Sequence, residues 1–193
     1  GYIHAFDTGY MSHSSDASSC REIPVDISDI IEYGRGSVLD LPNASTALKA
    51  IENSINTMRS SSMGRLFDGV SALLGIKTYN DYEGQCAIML EDAAAFALKH
   101  PGASRQCDLA LSFHNRITDM IVEQCIAARS EYGAHQVALT GGTFQNKILM
   151  ENTLTKLRSS GFTPYYNISV SPNDGGLALG QAYIAIHRKK TQL

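Results

Sequence analysis

The sequence predicts an α/β fold in which helices are followed by a β-α-β-α unit with parallel strands. Apolar residues recur at helical spacing from about residue 45 to about residue 131, and two short apolar runs follow, separated by another helical pattern. A strand–helix–strand segment of this length joins two parallel strands by a right-handed crossover. The 193 residues are enough for a full hydrophobic core.

Residues 1–45 differ from the rest because no hydrophobic period is sustained there. They predict an irregular lead-in with one or two short strands, and the folded unit is expected to cover 46–193. A first helix is predicted at its start, with Ser45 as the candidate cap. The apolar residues of this helix recur at intervals of three or four: Ala47, Ile51, Ile55 and Met58.

The stretch SSSMGRLFDGVSALLG predicts a second helix with two distinct faces. One face is apolar and consists of Met63, Leu66, Phe67, Val70, Leu73 and Leu74. The other face carries Gly64, Asp68 and Ser71 at positions i, i+4 and i+7, and it is unusually bare for a face in water. The serines before the helix supply a cap, and Gly75 is placed to end it in a left-handed conformation.

Two more helices are predicted, over 85–98 and over about 108–131, with Pro101 between them. His114 lies in the longer helix beside Phe113, which favours a partly buried structural histidine.

The β-α-β-α unit comprises strands within 135–140 and 162–170 and helices over 146–161 and 177–188. The loop TGGTFQN follows the first strand, and the loop SPNDGG follows the second. Because both loops follow a strand and precede a helix, they lie at the same edge of the sheet. Ligands bind at this edge in open α/β sheets.

The first loop predicts a place where backbone N–H groups meet an anion, usually a phosphate. Gly141 and Gly142 leave the backbone bare, the start of the next helix adds partial positive charge, and Asn146 offers an amide donor. The alternative is a tight turn that only glycine can make, since a Gly-Gly pair alone is a weak signal.

Carboxylates stand in the second loop and at two earlier positions. Asp174 is interpreted either as a helix N-cap or as a metal ligand beside phosphates, because carboxylate oxygen suits a hard cation. Asp68 and Glu83 are interpreted either as acceptors for sugar hydroxyls or as parts of solvated faces. No catalytic residue is identified, since the sequence holds no Ser-His-Asp order, P-loop or GxGxxG.

Composition argues against several classes of protein. The net charge is −3, so neither nucleic acid nor an anionic membrane is an expected partner. No apolar run approaches the ~18 residues of a membrane span, and no signal peptide opens the sequence. The cysteines lack CxxC spacing, and Cys86 and Cys125 predict buried thiols, so a cytoplasmic location is expected.

The chain also resembles a known family. Four stretches of the chain are similar to the carboxyl-terminal part of the hydrogenase-maturation carbamoyltransferases, the HypF type. They are SSMGRLFDGVSALLG, YEGQCAIMLE, ALTGGTFQNKILME and SPNDGGLALGQA. A fainter resemblance links the chain to the tRNA threonylcarbamoyl-transfer family, where GxxFD, a Tyr-x-Gly turn, a Gly-Gly-x-x-x-Asn loop and an Asp-Gly pair recur in this order. The resemblance covers roughly residues 46–187, and four ordered motifs are more specific than any single one.

The resemblance implies the C-terminal lobe of an actin-like ATPase (ASKHA) fold, with a nucleotide held between two lobes. It implies that Asp174 is a metal ligand beside the phosphates, that Asp68 contacts the ribose, and that Gly84 leaves room for the nucleoside. The nucleotide-binding residues implied in this way are Gly64, Asp68, Gly84, Gly141, Gly142 and Asn146.

In that family carbamoyl phosphate is cleaved and the carbamoyl group is activated on ATP as a carbamoyl adenylate. The group then passes to a C-terminal cysteine of a partner protein, on the way to the cyanide ligands of nickel–iron hydrogenase. The resemblance therefore implies ATP, a divalent ion (Mg, Zn or Fe), carbamoyl phosphate and an acceptor protein with a C-terminal cysteine.

Two departures from the family pattern bear on activity. The N-terminal lobe and its His-x-x-x-His motif are missing, so a missing lobe or a homodimer is an expected partner and the fragment alone is expected to be inactive. Where a second ribose carboxylate would stand, two positions before Glu91, the chain has Met89.

Two other interpretations stay open. One is a non-catalytic interaction module that keeps the actin-like fold as a docking surface, and the other is a tRNA threonylcarbamoyl-transfer-type relative. A scaffold has no physical need for bare glycines beside Asp174 and Asn146, which favours a nucleotide-binding lobe.

Overall fold

The computed structural model describes residues 2–4, 22–24, 26–55 and 62–190. The chain forms two compact units, Gly1–Met120 and Ile121–Leu193. Among the described residues, no helix combines the length and apolarity needed to cross a bilayer.

The first unit consists of one small sheet and several helices. Its strands β1 and β2 pair antiparallel, with Ile3 opposite Ile23. The elements, ending with the helix that runs on into the second unit, are β1 (Tyr2–His4), β2 (Glu22–Pro24), α1 (Ser28–Leu39), α2 (Ala44–Glu52), α3 (Met63–Leu73), α4 (Gln85–Lys99) and α5 (Arg105–Tyr132).

Helix α1 lies in the segment predicted to be irregular, so that prediction was wrong at this element, whereas the two short strands are confirmed. Gly34 and Gly36 lower the helix propensity of this segment, so its sequence does not predict a helix. Packing explains why the helix forms: Ile30 is fully buried, and a Cβ on Gly34 would overlap the carbonyl oxygen of Leu73. The boundary at residue 45 stays a prediction.

An ion pair joins α1 to α5 within the first unit. Arg116 donates to both carboxylate oxygens of Asp29 at 2.7 Å and to the carbonyl oxygen of Asp26 at 2.6 Å. The hydrogen bond from Arg116 lowers the pKa of Asp29 below its ordinary range. Such bidentate pairs add geometric specificity as well as energy.

Helix α2 confirms a helix in this segment, but it is shorter than the predicted pattern and begins at Ala44, so the prediction that Ser45 caps it was wrong. The chain turns after Glu52, and Ser54 adopts a φ of 54°. None of the residues of α2 is buried, and Ile51 is 62% exposed. Met58, the last member of the predicted stripe, lies outside the described residues.

The core of the first unit lies among α3, α4 and α5. The ring of Phe67 meets Phe113 edge to face at 4.9 Å and His114 at 5.3 Å. Gly75 has a φ of 70° just after α3, as predicted. The buried side chains contributed by these helices include Val70, Leu74, Cys86, Leu90, Ala94, Ala97, Ala110 and Ile117.

The second unit confirms the predicted β-α-β-α order and the parallel strands. Its elements are β3 (Gln136–Leu139), a 3₁₀ helix (Gly142–Gln145), α6 (Lys147–Ser159), β4 (Thr163–Tyr166), a 3₁₀ helix (Asp174–Gly176) and α7 (Leu177–Lys190). Gln136 pairs with Thr163 and Leu139 with Tyr166. The core of this unit comprises Val122, Leu139, Leu154, Leu157 and Phe162.

Helix α7 departs from expectation. Ala178 and Gly180 predict a helix that packs close to the sheet, yet every side chain from Leu177 to Arg188 is exposed. Two strands about 5 Å apart form a surface that is narrower than the diameter of a helix, about 10 Å. The core residues of this unit already cover part of that surface. The small residues of α7 therefore meet no sheet surface within this unit.

Candidate functional site

The two glycine-bearing loops of the second unit lie against each other. The N–H of Gly141 donates to the carbonyl oxygen of Pro172 at 2.8 Å. A Cβ on Gly142 would lie 3.7 Å from the Cβ of Asn173. This contact confirms that both loops stand at the same edge of the sheet, as their positions after parallel strands predict.

Gly141 serves the conformation of the first loop. Its φ of 104° and ψ of 155° are open to glycine and strained for other residues. Because its N–H is committed to Pro172, it is not available to a ligand in this conformation. Of the two glycines, only Gly142 can therefore donate its N–H to a ligand in this conformation.

Two N–H groups at the start of the first 3₁₀ helix are available to an acceptor. Those of Gly142 and Thr143 make no hydrogen bond with the part of the chain that the structure describes. Such groups at the start of a helix bind anions because they are unsatisfied donors with partial positive charge.

Asn146 ends the first loop and caps α6. Its Oδ1 accepts the N–H of Leu149 at 2.9 Å, and the residue is 9% exposed. The amide oxygen thus has a structural task that sequence reasoning did not assign to it. The amide nitrogen is the end of the side chain that suits the predicted donor role.

In the second loop, Asn173 rather than Asp174 is the capping residue. Its Oδ1 accepts from the N–H of Gly175 at 2.9 Å and from the hydroxyl of Ser171 at 2.6 Å. The N-cap interpretation of Asp174 is therefore wrong. Asn and Asp cap helices about equally well, so the order Asn-Asp-Gly-Gly does not by itself show which one does so.

The carboxylate of Asp174 is exposed and makes no hydrogen bond with described residues. In the same part of the chain, no group of three or more His, Cys, Asp and Glu side chains is placed to hold a metal ion. One carboxylate does not make a divalent-cation site, since such ions take about six ligands. The described residues alone therefore do not fit a resident metal.

The other candidate residues lie in the first unit. Gly64 is exposed in the first turn of α3, where Ser62 caps the helix by accepting the N–H of Arg65 at 3.4 Å. Asp68 follows one turn later and is half-buried, and its Oδ1 is fully buried with no hydrogen-bond partner among the described residues. Gly84 precedes α4 in a left-handed conformation, with a φ of 78°.

The face of α3 that carries Asp68 is shielded from solvent toward its C-terminal end. Ser71 lies one turn beyond it with 0% exposure, and its hydroxyl likewise lacks a hydrogen-bond partner in the described chain. Burial raises the pKa of the Cys86 thiol on α4, and the carboxylate of Asp68 raises it further. The neighbouring Ser71 hydroxyl acts in the opposite direction and lowers the pKa of Cys86, although the two side chains do not reach the geometry of a hydrogen bond.

The start of α4 is held by a residue that sequence reasoning missed. Asn80 accepts the N–H of Cys86 at 2.7 Å. It lies four residues before Gly84, which is too far from the helix start for a local capping pattern to predict its role. Glu83 is exposed and makes no hydrogen bond with described residues, in agreement with a solvated face.

The histidine and cysteine predictions are largely confirmed. His114 is 0% exposed, and Cys86 is buried. Cys125 is half-buried against the core of the second unit, somewhat more exposed than predicted.

The second unit therefore has the loop arrangement typical of α/β domains that bind ligands at the carboxyl edge of parallel strands. The model of the family described as "Carbamoyltransferase, Kae1-like Domain, second subdomain" matches residues 32–105 and 97–181. The chain belongs to this family.

Several relatives are named carbamoyltransferase HypF. The protein from Synechocystis sp. is 31% identical over 157 residues, which are 67% of this chain and 20% of that protein. The one from Rhodobacter capsulatus is 36% identical over 152 residues, 68% of this chain and 20% of that protein. A HypF homolog from Cupriavidus necator is 31% identical over 197 residues, 84% of this chain and 50% of that protein.

Solved structures agree with these matches. Full-length HypF in its phosphate- and nucleotide-bound form superposes with a TM-score of 0.67 at 31% identity, over 81% of this chain and 25% of that one. HypF from T. kodakarensis has the same fold, with a TM-score of 0.64 at 22% identity over 76% of this chain and 22% of that one. The chain thus spans between a fifth and a half of the length of these relatives.

Proposed function

We propose that this chain is the ATP-binding, C-terminal lobe of a HypF-type carbamoyltransferase with an actin-like ATPase fold. The observation that carries the proposal is the pair of unengaged N–H groups, Gly142 and Thr143, beside the loop that presents Asp174. Family membership and the relatives' names support carbamoyl transfer as the reaction class.

The two loops would have different roles at the phosphates: the first would donate hydrogen bonds, and the second would bind a cation. The N–H groups of Gly142 and Thr143 and the amide nitrogen of Asn146 would donate to phosphate oxygens, while Gly141 keeps the loop in shape. Asp174 cannot bind an anion, because it carries negative charge. It would supply one carboxylate oxygen to a divalent ion held beside the phosphates.

For the nucleoside, the family resemblance implies three residues of the first unit. Asp68 would accept a hydrogen bond from a ribose hydroxyl through the accessible part of its carboxylate. Gly64 and Gly84 would leave room for the nucleoside, since a Cβ added at either position would meet no atom closer than 3.9 Å.

The reaction we propose for the longer enzyme proceeds in three steps. Carbamoyl phosphate is hydrolysed to carbamate and inorganic phosphate. A carbamate oxygen then attacks the α-phosphorus of ATP, and pyrophosphate leaves. Finally, the thiolate of the acceptor's C-terminal cysteine attacks the carbamoyl carbon, and AMP leaves with the electron pair of the broken C–O bond.

A second candidate function is a non-catalytic interaction module. It is favoured by α7, whose apolar side chains Leu177, Leu179, Tyr183, Ile184 and Ile186 are each more than half exposed. Large exposed apolar patches commonly mark interaction surfaces. A module of this kind needs no ligand at the two loops, so nucleotide binding separates the two candidates.

The test is an amide NMR titration of the chain with ATP and Mg²⁺. We expect the largest shifts at the amides of Gly142 and Thr143 and no shift at Gly133, an exposed glycine at the end of α5. Adenosine should perturb Asp68 but not the loops. A flat response of both loops at millimolar ATP would contradict nucleotide binding and favour the interaction module.

A further inference from the structure

The small sheet of the second unit has two free edges. Strands β3 and β4 pair with each other, and neither pairs with a further strand in the part of the chain that the structure describes. Such an edge presents a row of unpaired N–H and C=O groups on which another strand can add. Sheets in proteins commonly have about 4–6 strands, so this one has room to grow at either side.

The free edge of β4 is closed to pairing by a proline. The N–H of Thr163 donates to the carbonyl oxygen of His135 at 2.9 Å, so the backbone groups of Thr163 point toward β3. Backbone groups of successive strand residues point to opposite sides within a sheet. Pro164 therefore faces the free side of β4, where it has no N–H to donate. Proline in this position is typical of an edge that stays unpaired.

The free edge of β3 has no such protection. Because the C=O of His135 points toward β4, the N–H and C=O groups of Gln136 and Ala138 point away from it. These groups make no hydrogen bond with the described residues, and both side chains are exposed. The strand reads QVAL and contains neither proline nor a charged residue, which are the usual means of preventing pairing at an edge.

A second copy of β3 can satisfy all of these groups at once. When a twofold axis passes beside Val137, two β3 strands run antiparallel and Gln136 lies opposite the partner's Ala138. Residues that face each other in this way exchange two N–H···O hydrogen bonds. The same axis places Ala138 opposite the partner's Gln136 and makes a cross-strand pair of the two β-branched Val137 side chains. The edge is therefore complementary to itself.

We propose that the free edge of β3 is a homodimerisation surface, on which two copies of the chain form one continuous sheet in the order β4–β3–β3–β4. The self-complementary register selects a second copy over an unrelated strand, and twofold contacts are the commonest in oligomers. A strand of four residues buries less than the ~800 Å² per partner of a standard interface, so the dimer is weak. The proposal is independent of nucleotide binding.

The experiment compares two double variants that differ only in the charge at one position of this edge. Gln136→Lys with Ala138→Lys places like charges opposite each other across the twofold axis. Gln136→Glu with Ala138→Lys places opposite charges there. Both replace exposed side chains, and both remove the same 3.4 Å contact between Gln136 and Tyr165. Only antiparallel pairing of β3 with itself in this register makes the second variant a match.

Sedimentation velocity of the wild type and both variants, at concentrations up to about 1 mM, measures the dissociation constant. We expect a concentration-dependent dimer of the wild type. The dissociation constant should rise about 5- to 30-fold in the variant with two lysines, because two cross-strand pairs become repulsive. The variant with opposite charges should dimerise at least as tightly as the wild type.

Amide hydrogen exchange at low and high protein concentration locates the contact. The N–H groups of Gln136 and Ala138 should be protected only at high concentration, where the dimer forms. The N–H of Tyr166 is the internal control, because it lies on the free side of β4 by the same alternation and should exchange equally fast at both concentrations.

Three results would overturn the proposal. A strictly monomeric wild type over the whole range would leave the edge of β3 to a strand of another protein. Equal dissociation constants for the two double variants would show that β3 does not pair with itself in this register. Protection that grows at Tyr166 instead of Gln136 would place the contact on β4.

Discussion

The N–H of Gly141 lies 2.8 Å from the carbonyl oxygen of Pro172, and this hydrogen bond joins the loop after β3 to the loop after β4. Two segments some thirty residues apart in sequence thereby act as one structure. One presents backbone donors suited to an anion, and the other presents the carboxylate of Asp174. The pairing places these donors and this carboxylate at one edge of the sheet, which is the arrangement on which the proposed nucleotide site depends.

Substitution of Asn146 separates its capping role from its proposed ligand role. Asn146→Ala should lower the free energy of unfolding by about 1 kcal/mol, because the N–H of Leu149 loses its acceptor. Asn146→Asp keeps an acceptor oxygen at the helix start and should retain stability, but its charge should weaken ATP binding. Urea unfolding and ATP titration of both variants check this. Equal destabilisation by both would contradict the capping account.

The second loop should be intolerant of a side chain at Gly176. A Cβ there would overlap the carbonyl oxygen of Ser171 and lie 3.0 Å from Val170, so Gly176→Ala should shift the loop and displace Asp174. Gly180→Ala is the control, since a Cβ there meets nothing within 4 Å. It should stabilise α7 by about 0.5–1 kcal/mol. ATP affinity with Mg²⁺ should fall only for Gly176→Ala, and unchanged affinity would disprove the claim.

Helix α1 offers a matched pair that tests whether it belongs to the fold. Gly34→Ala places a methyl group against the backbone of Leu73 and should destabilise the first unit by about 1–3 kcal/mol. Gly36→Ala meets open space in the same helix and should stabilise it by about 0.5–1 kcal/mol. Denaturant unfolding measures both effects. Similar stabilities for the two variants would show that α1 does not pack as described.

These elements show where the sequence was sufficient. Local sequence patterns were enough to predict the helices α3 to α6, the parallel strands and the two loops. These patterns are apolar periodicity, glycine at the ends of strands and the length of a strand–helix–strand crossover. Asp68 and Ser71 were placed on a separate face of α3 by spacing alone, and the burial of Ser71 and of the Oδ1 atom of Asp68 agrees with the prediction that this face is not an ordinary solvated one.

Other features depend on tertiary contacts that no local pattern encodes. Helix α1 contains two glycines and forms because its neighbours fit against it. The cap made by Asn173 was missed because Asp174 beside it has an equally suitable side chain. The hydrogen bond to Asn80 was missed because this residue lies six positions before the N–H that it accepts. The commitment of the Gly141 N–H was likewise unforeseeable, since it depends on a carbonyl group in the other loop.

Burial of His114 makes stability depend on pH. Burial lowers the pKa of His114 below its ordinary value of 6.5, and its Nδ1 lies 2.8 Å from the carbonyl oxygen of Ala110. As pH falls below 6.5, the unfolded chain takes up a proton before the folded one does. The free energy of unfolding should therefore decrease from about pH 6.5 down to the lowered pKa, by at most ~1.4 kcal/mol per pH unit.

Urea unfolding at about pH 7.5, 6.5 and 5.5 measures this slope on both sides of the ordinary histidine pKa. His114→Gln should reduce it, whereas His135→Gln, which alters an exposed histidine, should leave it unchanged. An identical slope in all three proteins would rule out His114 as the source of the pH dependence.

The most direct test of the central claim, that the paired loops bind nucleotide phosphates, is calorimetric titration of ATP with Mg²⁺ into the wild-type chain, Asp174→Asn and Glu131→Gln. Glu131 is an exposed residue of α5 in the same unit, so its variant loses the same charge away from the loops. We predict weak binding to the wild type, equal binding to Glu131→Gln and at least several-fold weaker binding to Asp174→Asn. Identical affinities for all three proteins, or no binding to the wild type, would contradict the claim.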